Sequence, residues 1–490
     1  MHPPIQRFPA FSVIAACVCA ACSAGAAGQV ATILVWSDLH GKVPPGLKVL
    51  VDSAREAAAA ASRPIATLDG GDAIFGSRLS HITAGVSQTA ELNFLKPDAM
   101  VLGLGDFDWN RGRLDSLLRV LDFPVLTANL RRNVDDAPIG GKRSTLLESA
   151  GLKIGLIGVT DPEIDYPERQ DKNGDMRVDP EEAAVSAEVA ALRQSGANLV
   201  IVLCHANEAV SAKFTRMQGV DLVLESHDFA SASASQTGGT WIAKIPSGGA
   251  SVLRIDLEKP ENGTWSATSS VLPIPKKTPL NAAWKAMNAT HDSLLSAYQS
   301  REIGNLKAAW APTRREAPLG NWMADALRGG TKADIALVPA SWIQKGFPKG
   351  RVRVEDVWNA IPPGLNMVSV FTLPGSDVMK YLERQMRHSK EYIFLSGLSC
   401  TPDSSMFGGN PIAALVGGKP LDKSAYYRIA IPKQLRNDIY ELTGISESSA
   451  GAEWTGIWES DMIIEWARTN GLPMQTARRV PAMYCGTAPK

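Results

Sequence analysis

Five consecutive aliphatic residues, Leu199-Val200-Ile201-Val202-Leu203, run directly into Cys204 and His205. A run this short and this apolar reads as a strand buried on both faces, which requires a covering layer on each side. Similar runs recur at Thr32 to Trp36, Ile65 to Leu68, Met100 to Leu102, Pro124 to Thr127, Ile154 to Val159 and Leu222 to Leu224. Helical stretches stand between them at Val51 to Ala61, Thr89 to Leu95 and Glu181 to Gln194. The alternation predicts a layered α/β domain. Cys204, closing its strand, reads as a buried thiol.

The pattern breaks after a strand-like Val252 to Leu257, at the Pro-rich stretch Pro273 to Pro279. Leu280 to Tyr298 reads as a connecting helix. A second α/β unit is expected from near Ala311, through Pro318 to Arg328, Asp334 to Val338 and Val378 to Gln385. A chain of 490 residues has length for both units, and no internal repeat is visible.

Fifty Lys and Arg balance fifty Asp and Glu. No basic run marks a footprint for nucleic acid, so that class of partner is disfavoured. Met1 to Gly28 reads as an export signal: Arg7 precedes the apolar Phe11 to Ala21, and small residues follow from Ser23. It has two alternative ends, cleavage around Ala24 to Ala27 or lipid attachment at Cys17 or Cys22. Later in the chain no apolar run approaches the eighteen or so residues of a spanning helix. The expected location is the periplasm or cell envelope. Cys400 and Cys485 either pair there or stay free.

Chemistry-bearing residues collect where the first unit's strands end. Asp38 and His40 follow Thr32 to Trp36, and alternate residues of extended chain point the same way, so both reach one ion. Asp69-Gly70-Gly71-Asp72 follows Ile65 to Leu68 as a tight turn that presents a carboxylate. His205 and His227 follow two further strands. Carboxylate and imidazole donors gathered in this way suit Mn, Fe or Zn.

These residues give the chain a family resemblance. Ser37-Asp38-Leu39-His40-Gly41, Asp69-Gly70-Gly71-Asp72, Leu126-Thr127-Ala128-Asn129 and Leu203-Cys204-His205 resemble the secreted 5′-nucleotidase family, and Leu319-Gly320-Asn321-Trp322 and Gly418-Lys419-Pro420-Leu421 continue the likeness. The resemblance implies a calcineurin-like metallophosphoesterase domain, a layered β-sandwich flanked by helices, and a second α/β domain, the 5′-nucleotidase C-terminal domain. It divides the chain into a signal at 1–28, the first domain at 29–275, a linker helix at 276–310 and the second domain at 311–490. Carried over position by position, Asp38, His40 and Asp72 serve one ion, and Asp72, His205 and His227 the other. Asp72 is the bridge.

The chain departs from that family at four places. Gly103-Leu104-Gly105-Asp106 replaces Gly-Asn-His-Glu, so Leu104 stands for a metal-binding Asn, and Gly105 for the His that assists the leaving group. Phe229 replaces the last histidine ligand of the first ion. Gln344 takes the place of an arginine that clamps the substrate phosphate, removing a bidentate contact. Asp106, Asp108 and Asp228 are candidate substitute ligands, the alternative being that Asp106 and Asp228 cap or solvate loops, and Tyr440, Trp342 and Trp454 are candidate stacking residues or packing. Asp171, Asn173, Asp175, Asp179 and Glu182 are spaced like a calcium loop, but Met176 replaces its turn glycine. The alternative is a polar loop with Asp179 capping the next helix and Pro180 as its first residue.

Two functional expectations follow from the resemblance. One is a metal-dependent phosphoesterase acting on a phosphate ester such as a nucleotide, with one or two divalent ions. The other is a non-catalytic relative that binds a ligand or metal in the envelope.

Overall fold

The computed structural model describes residues 28–165, 175–227, 229–276, 278, 281–362, 366–388, 392–401, 413–435 and 453–473. The first half is built on two sheets. The seven-stranded one runs, edge to edge, Ser266–Pro273, Ser251–Lys259, Gln29–Trp36, Ile65–Asp69, Ala99–Val101, Val125–Leu126 and Gly141–Lys142. From Gln29–Trp36 onward its neighbours are parallel. The six-stranded one runs Ser233–Thr237, Thr240–Lys244, Leu222–Ser226, Leu199–His205, Leu152–Thr160 and Ser144–Ser149, with a parallel centre.

Side-chain alternation explains how the sheets stack. Ile33 and Val35 share a core with Ile201, Leu203 and Leu224 of the other sheet, whereas Leu34 and Trp36 point outward to Leu47, Val51, Leu92 and Trp284. Val200, Val202 and Cys204 likewise face Val185, Val189 and Phe214 on the opposite outer layer. Each central strand is therefore apolar on both faces, which is why these runs lack a polar alternation. The result is the layered α/β domain that the sequence pattern predicts, with the β-sandwich flanked by helices that the family resemblance implies.

The helix Ala282–Gln299 follows, starting two residues and ending one residue after the predicted Leu280 to Tyr298. It lies against the first half: Trp284 joins the outer core, and His291 Nδ1 meets Glu91 Oε1 at 3.0 Å. Beyond it, a five-stranded sheet runs Ile393–Ser396, Ile335–Pro339, Tyr426–Ile431, Met367–Pro374 and Glu453–Trp458, packed with the helices Pro318–Thr331 and Glu459–Asn470. Among the described residues no helix is long and apolar enough to cross a membrane.

The halves meet through side chains close to the first half's strand ends. The ring of Phe75 stacks on Trp458 with centroids 4.8 Å apart, and Met367 completes the cluster. Arg78 Nη2 donates to the Trp358 carbonyl at 2.8 Å, its guanidinium 5.0 Å from the centre of that ring. His81 Nε2 lies 2.8 Å from Asp461 Oδ2.

One local expectation is corrected. Asp179 does not cap the helix Glu181–Gln194: Pro180 occupies the cap with no side-chain bond, and the Asp179 carboxylate pairs with Arg131 and Arg177. Two guanidiniums offer a carboxylate more than one helix-end amide does. Of the predicted calcium loop, Asp171 and Asn173 lie outside the described residues, as do 1–27 and Cys485. Cys204 and Cys400 are free, buried thiols.

Candidate metal centre

Parallel strands of both sheets deliver the predicted ligands to one place. Asp38 and His40 lie just past Gln29–Trp36, Asp72 just past Ile65–Asp69, His205 ends its own strand, and His227 follows Leu222–Ser226. Backbone bonds zip the first two loops together, with Asp38 N–H donating to the Gly71 carbonyl at 2.9 Å and His40 N–H to that of Asp72 at 2.8 Å. All five predicted ligands are thereby gathered. They form two groups, Asp38 with His40 and Asp72, and Asp72 with His205 and His227, in each of which one donor atom per residue lies within 4.8 Å of the others. Asp72 belongs to both.

The backbone of this region is held in an unusual conformation. Asp38, His40, Asp72 and His227 have φ of 56°, 45°, 53° and 128°. Side chains at positive φ cost on the order of 1–3 kcal/mol each and persist where surrounding structure over-determines them. Here the over-determination is visible. Asp69, fully buried, takes the Trp36 indole N–H at 2.7 Å and the Gly71 N–H at 3.0 Å, and burial still pushes its carboxyl up to about 7. Gly71, at φ 99°, has no room for a side chain, since a Cβ would sit 2.8 Å from His205 Nδ1.

His205 is the best-positioned donor. It is fully buried, and its Nδ1 lies 2.7 Å from the Gly70 carbonyl, a bond that reaches from one sheet to the other. Because a carbonyl only accepts, Nδ1 carries a hydrogen and Nε2 faces the acidic residues. Nε2 lies 3.5 Å from Asp72 Oδ2, 4.0 Å from Asp38 Oδ1 and 3.4 Å from His227 Nδ1. Burial opposes charge on this imidazole, but the Asp72 and Asp38 carboxylates hold it well above the ordinary histidine range. Burial likewise opposes charge on Asp72, and His205 with His40 hold that carboxylate below its usual value. Two carboxylates and three imidazoles crowded this closely fit a divalent cation by donor chemistry.

The expected substitutes behave differently. Asp106 is fully buried, and its carboxylate accepts the backbone N–H groups of Asp72, Ala73, Ile74 and Gly103 at 2.8 to 3.1 Å. It is a brace for the loop that carries Asp72, and its oxygens are turned to amides instead of toward an ion. Burial and the neighbouring Asp72 push it up to about 7. Asp108 is half-buried in the short turn Gly105–Asp108, and Asp228 lies outside the described residues. Leu104 packs on the apolar core, and the Phe229 ring lies 4.8 Å beneath Lys244 Nζ.

Trp342 is packing. It is fully buried, its indole donating to Glu459 Oε2 at 3.1 Å, so no ligand stacks on it. Tyr440 and the side chain of Trp454 lie outside the described residues, and Gln344 is exposed. For Asp106 the loop-capping alternative holds, whereas sequence reasoning missed the bracing role of Asp69 and that of Ser226, whose hydroxyl donates to the Gly70 carbonyl at 2.6 Å. The adjacency of Ser226 to His227 is the one signal that pointed to it.

Known proteins resemble the chain in both halves. The profile of the 5′-nucleotidase C-terminal domain matches residues 302–438. A 5′-nucleotidase of Diplobatis ommata is 32% identical over 173 residues, covering 34% of this chain and 30% of that protein. Residues 302–438 thus match the C-terminal domain of the 5′-nucleotidase family, and the chain resembles that family. A probable 5′-nucleotidase of Treponema pallidum is 29% identical over 167 residues, 34% of this chain and 28% of that protein. The matched stretch thus spans less than a third of either relative's length. The family's fold extends further than the sequence match. The structure of a putative 5′-nucleotidase from Staphylococcus aureus superimposes with a TM-score of 0.69 at 18% identity, covering 92% of this chain and 100% of that one. The Haemophilus influenzae NAD nucleotidase gives 0.65 at 16% identity, covering 92% and 99%. At such identities the likeness is one of fold, two domains included.

Proposed function

We propose that this chain is a metal-dependent phosphoesterase with a reduced centre that works with one divalent ion, hydrolysing a phosphate ester such as a nucleotide. The observation that carries the proposal is the pair of donor groups meeting at Asp72. A divalent ion held there supplies charge stabilisation for phosphoryl oxygens and a nucleophile at neutral pH. Asp72, His205 and His227 hold it, Asp38 and His40 flank it, and the Gly70 carbonyl keeps His205 in the tautomer that leaves Nε2 to the ion. Gly105 offers no side-chain proton to a leaving group, and the exposed Gln344 no charge to a phosphate, so turnover is slow and suits esters with good leaving groups. We place the first domain at 29–275, the linker helix at 276–310 and the second domain at 311–490, and we assign 1–28 as an export signal that sends the protein to the periplasm or cell envelope.

A second reading, a binding protein without turnover, is favoured by one observation: Leu104 is packed into apolar core where the family has a metal-binding Asn. Elemental analysis of the full chain from metal-replete growth, beside Asp72→Ala, tests both readings against a panel of nucleoside monophosphates and an aryl phosphate. A near-stoichiometric ion and measurable turnover, both lost in Asp72→Ala, support the enzyme. The same ion with no turnover selects the binding reading. No ion in either protein overturns both.

A further inference from the structure

A cleft unconnected with the residues above lies between the helix Arg111–Leu118 and the turn that leads from Leu130–Arg132 to Gly141–Lys142. It encloses about 350 Å³, toward the small end of ligand cavities, which run roughly 300–1,000 Å³. Its floor is apolar: Leu118, Pro138 and Ile139, the last buried in the same core as Leu114 and Leu117. Three arginines stand around the floor, Arg111, Arg119 and Arg132.

Their charges are unequally satisfied. Arg132 is held by Asp135 through both Nε and Nη2. Arg111 Nε donates to Asp115 Oδ1 at 2.7 Å, an ion pair one helical turn long. Its side chain is only 11% exposed, yet its Nη1 is buried with no acceptor among the described residues. A buried guanidinium N–H without a partner is costly unless something else accepts it. Arg119, exposed at the helix C-terminus, has neither a hydrogen bond nor an ion pair for its guanidinium among the described residues. With Asp115 and Asp135 set against two of the arginines, the cleft keeps one uncompensated positive charge, that of the exposed Arg119.

We propose that this cleft binds a small organic oxyanion, a carboxylate or a phosphate monoester joined to a planar apolar body. Arg119 takes the oxyanion through its planar fork, Arg111 and Arg132 add positive charge beside it, and Leu118, Pro138 and Ile139 cover the apolar body. The surplus charge excludes cations, and the apolar floor gives inorganic phosphate less to bind than an aryl anion. The proposal does not depend on the metal centre.

Calorimetric titration of the full chain in the presence of EDTA tests it, with benzoate and phenylphosphonate as probes and benzyl alcohol and inorganic phosphate as controls. Saturable binding of at least one aryl anion is expected, unchanged in Asp72→Ala and weakened at least tenfold in Arg119→Ala, whose exposed position leaves folding intact. Arg119→Lys should recover only part of the loss, because an ammonium cannot make the two parallel bonds. A preference for benzoate or for the phosphonate names the source of the oxyanion. The proposal is overturned by the absence of saturable binding, by equal affinity in Arg119→Ala, by benzyl alcohol binding as well as the anions, or by inorganic phosphate doing so.

Discussion

The backbone N–H of Gly105 donates to Asp72 Oδ1 at 2.6 Å. One oxygen of the carboxylate shared by both donor groups is thus held by the residue that stands where the family carries its leaving-group histidine. A Cβ on Gly105 would lie 3.1 Å from that oxygen, so a side chain fits only if Asp72 gives by a few tenths of an ångström.

Restoring the family pair should therefore change binding as well as rate. Leu104→Asn combined with Gly105→His is expected to raise the number of ions per chain above that of the parent, and to raise aryl-phosphate turnover by about 100-fold, the low end of what a positioned proton donor contributes. Elemental analysis and steady-state kinetics of the double variant check this. An unchanged ion content would show that Phe229 and the turned Asp106 keep the second position closed.

Chelation should destabilise the protein. An ion that binds only the folded chain at about 100 times its Kd adds about 2.7 kcal/mol, and at roughly 2–4 °C per kcal/mol for a domain of this size its removal lowers the thermal midpoint by about 5–10 °C. Asp72→Ala should show no such drop. Equal shifts in parent and variant, read by scanning calorimetry with and without EDTA, would place the stabilising ion elsewhere.

The stack of Phe75 on Trp458 ties the loop after Asp72 to the second half of the chain. Trp458 is only 7% exposed, and truncating a buried aromatic to alanine costs about 3–5 kcal/mol. Trp458→Ala should lose about 3 kcal/mol in urea unfolding. A double-mutant cycle with Phe75→Leu should give a coupling of about 1 kcal/mol, in the range of aromatic pairs. Additive effects would mean that each ring packs independently.

Glu459 sets a pH dependence away from the metal centre. Burial raises its carboxyl from 4.5 to about 7, against the opposing bonds from the Lys433 amide and the Trp342 indole. Between these two values the folded protein holds a proton that the unfolded chain has released, so stability falls as pH rises through this window. At about 1.4 kcal/mol per pKa unit, the fall is on the order of 3 kcal/mol. Glu459→Gln carries no titrating proton and should make the profile between pH 4.5 and 7 shallower by that amount, the slope from Asp69 and Asp106 remaining, while costing about 1 kcal/mol through its poorer acceptor. Urea unfolding across that range distinguishes a shallower profile from a merely lowered one.

Much of the fold was legible because buried strands advertise themselves. Leu199 to Leu203 and Thr32 to Trp36 are apolar on both faces, and the structure places both at sheet centres with helices outside. The ligand positions were legible for a related reason: parallel strands end on one edge of a sheet, so polar residues that follow several such strands must converge. Helix ends were less so. Asp179 has the residue type and the position of a cap, but Arg131, distant in sequence, claims its carboxylate together with Arg177.

The sequence by itself determined the layered architecture, the family resemblance, and which five residues stand at the strand ends, because these depend on periodicity and on local motifs. Only the tertiary structure decided that Asp106 braces a loop, that Trp342 is core, that a Gly70 carbonyl orients His205 and that Gly105 holds Asp72. Each of those outcomes depends on which distant backbone group lies within hydrogen-bonding distance, and burial gives every such group one chance to be satisfied. Arg111 Nη1 shows the same rule from the other side, as a buried donor that meets no acceptor among the described residues.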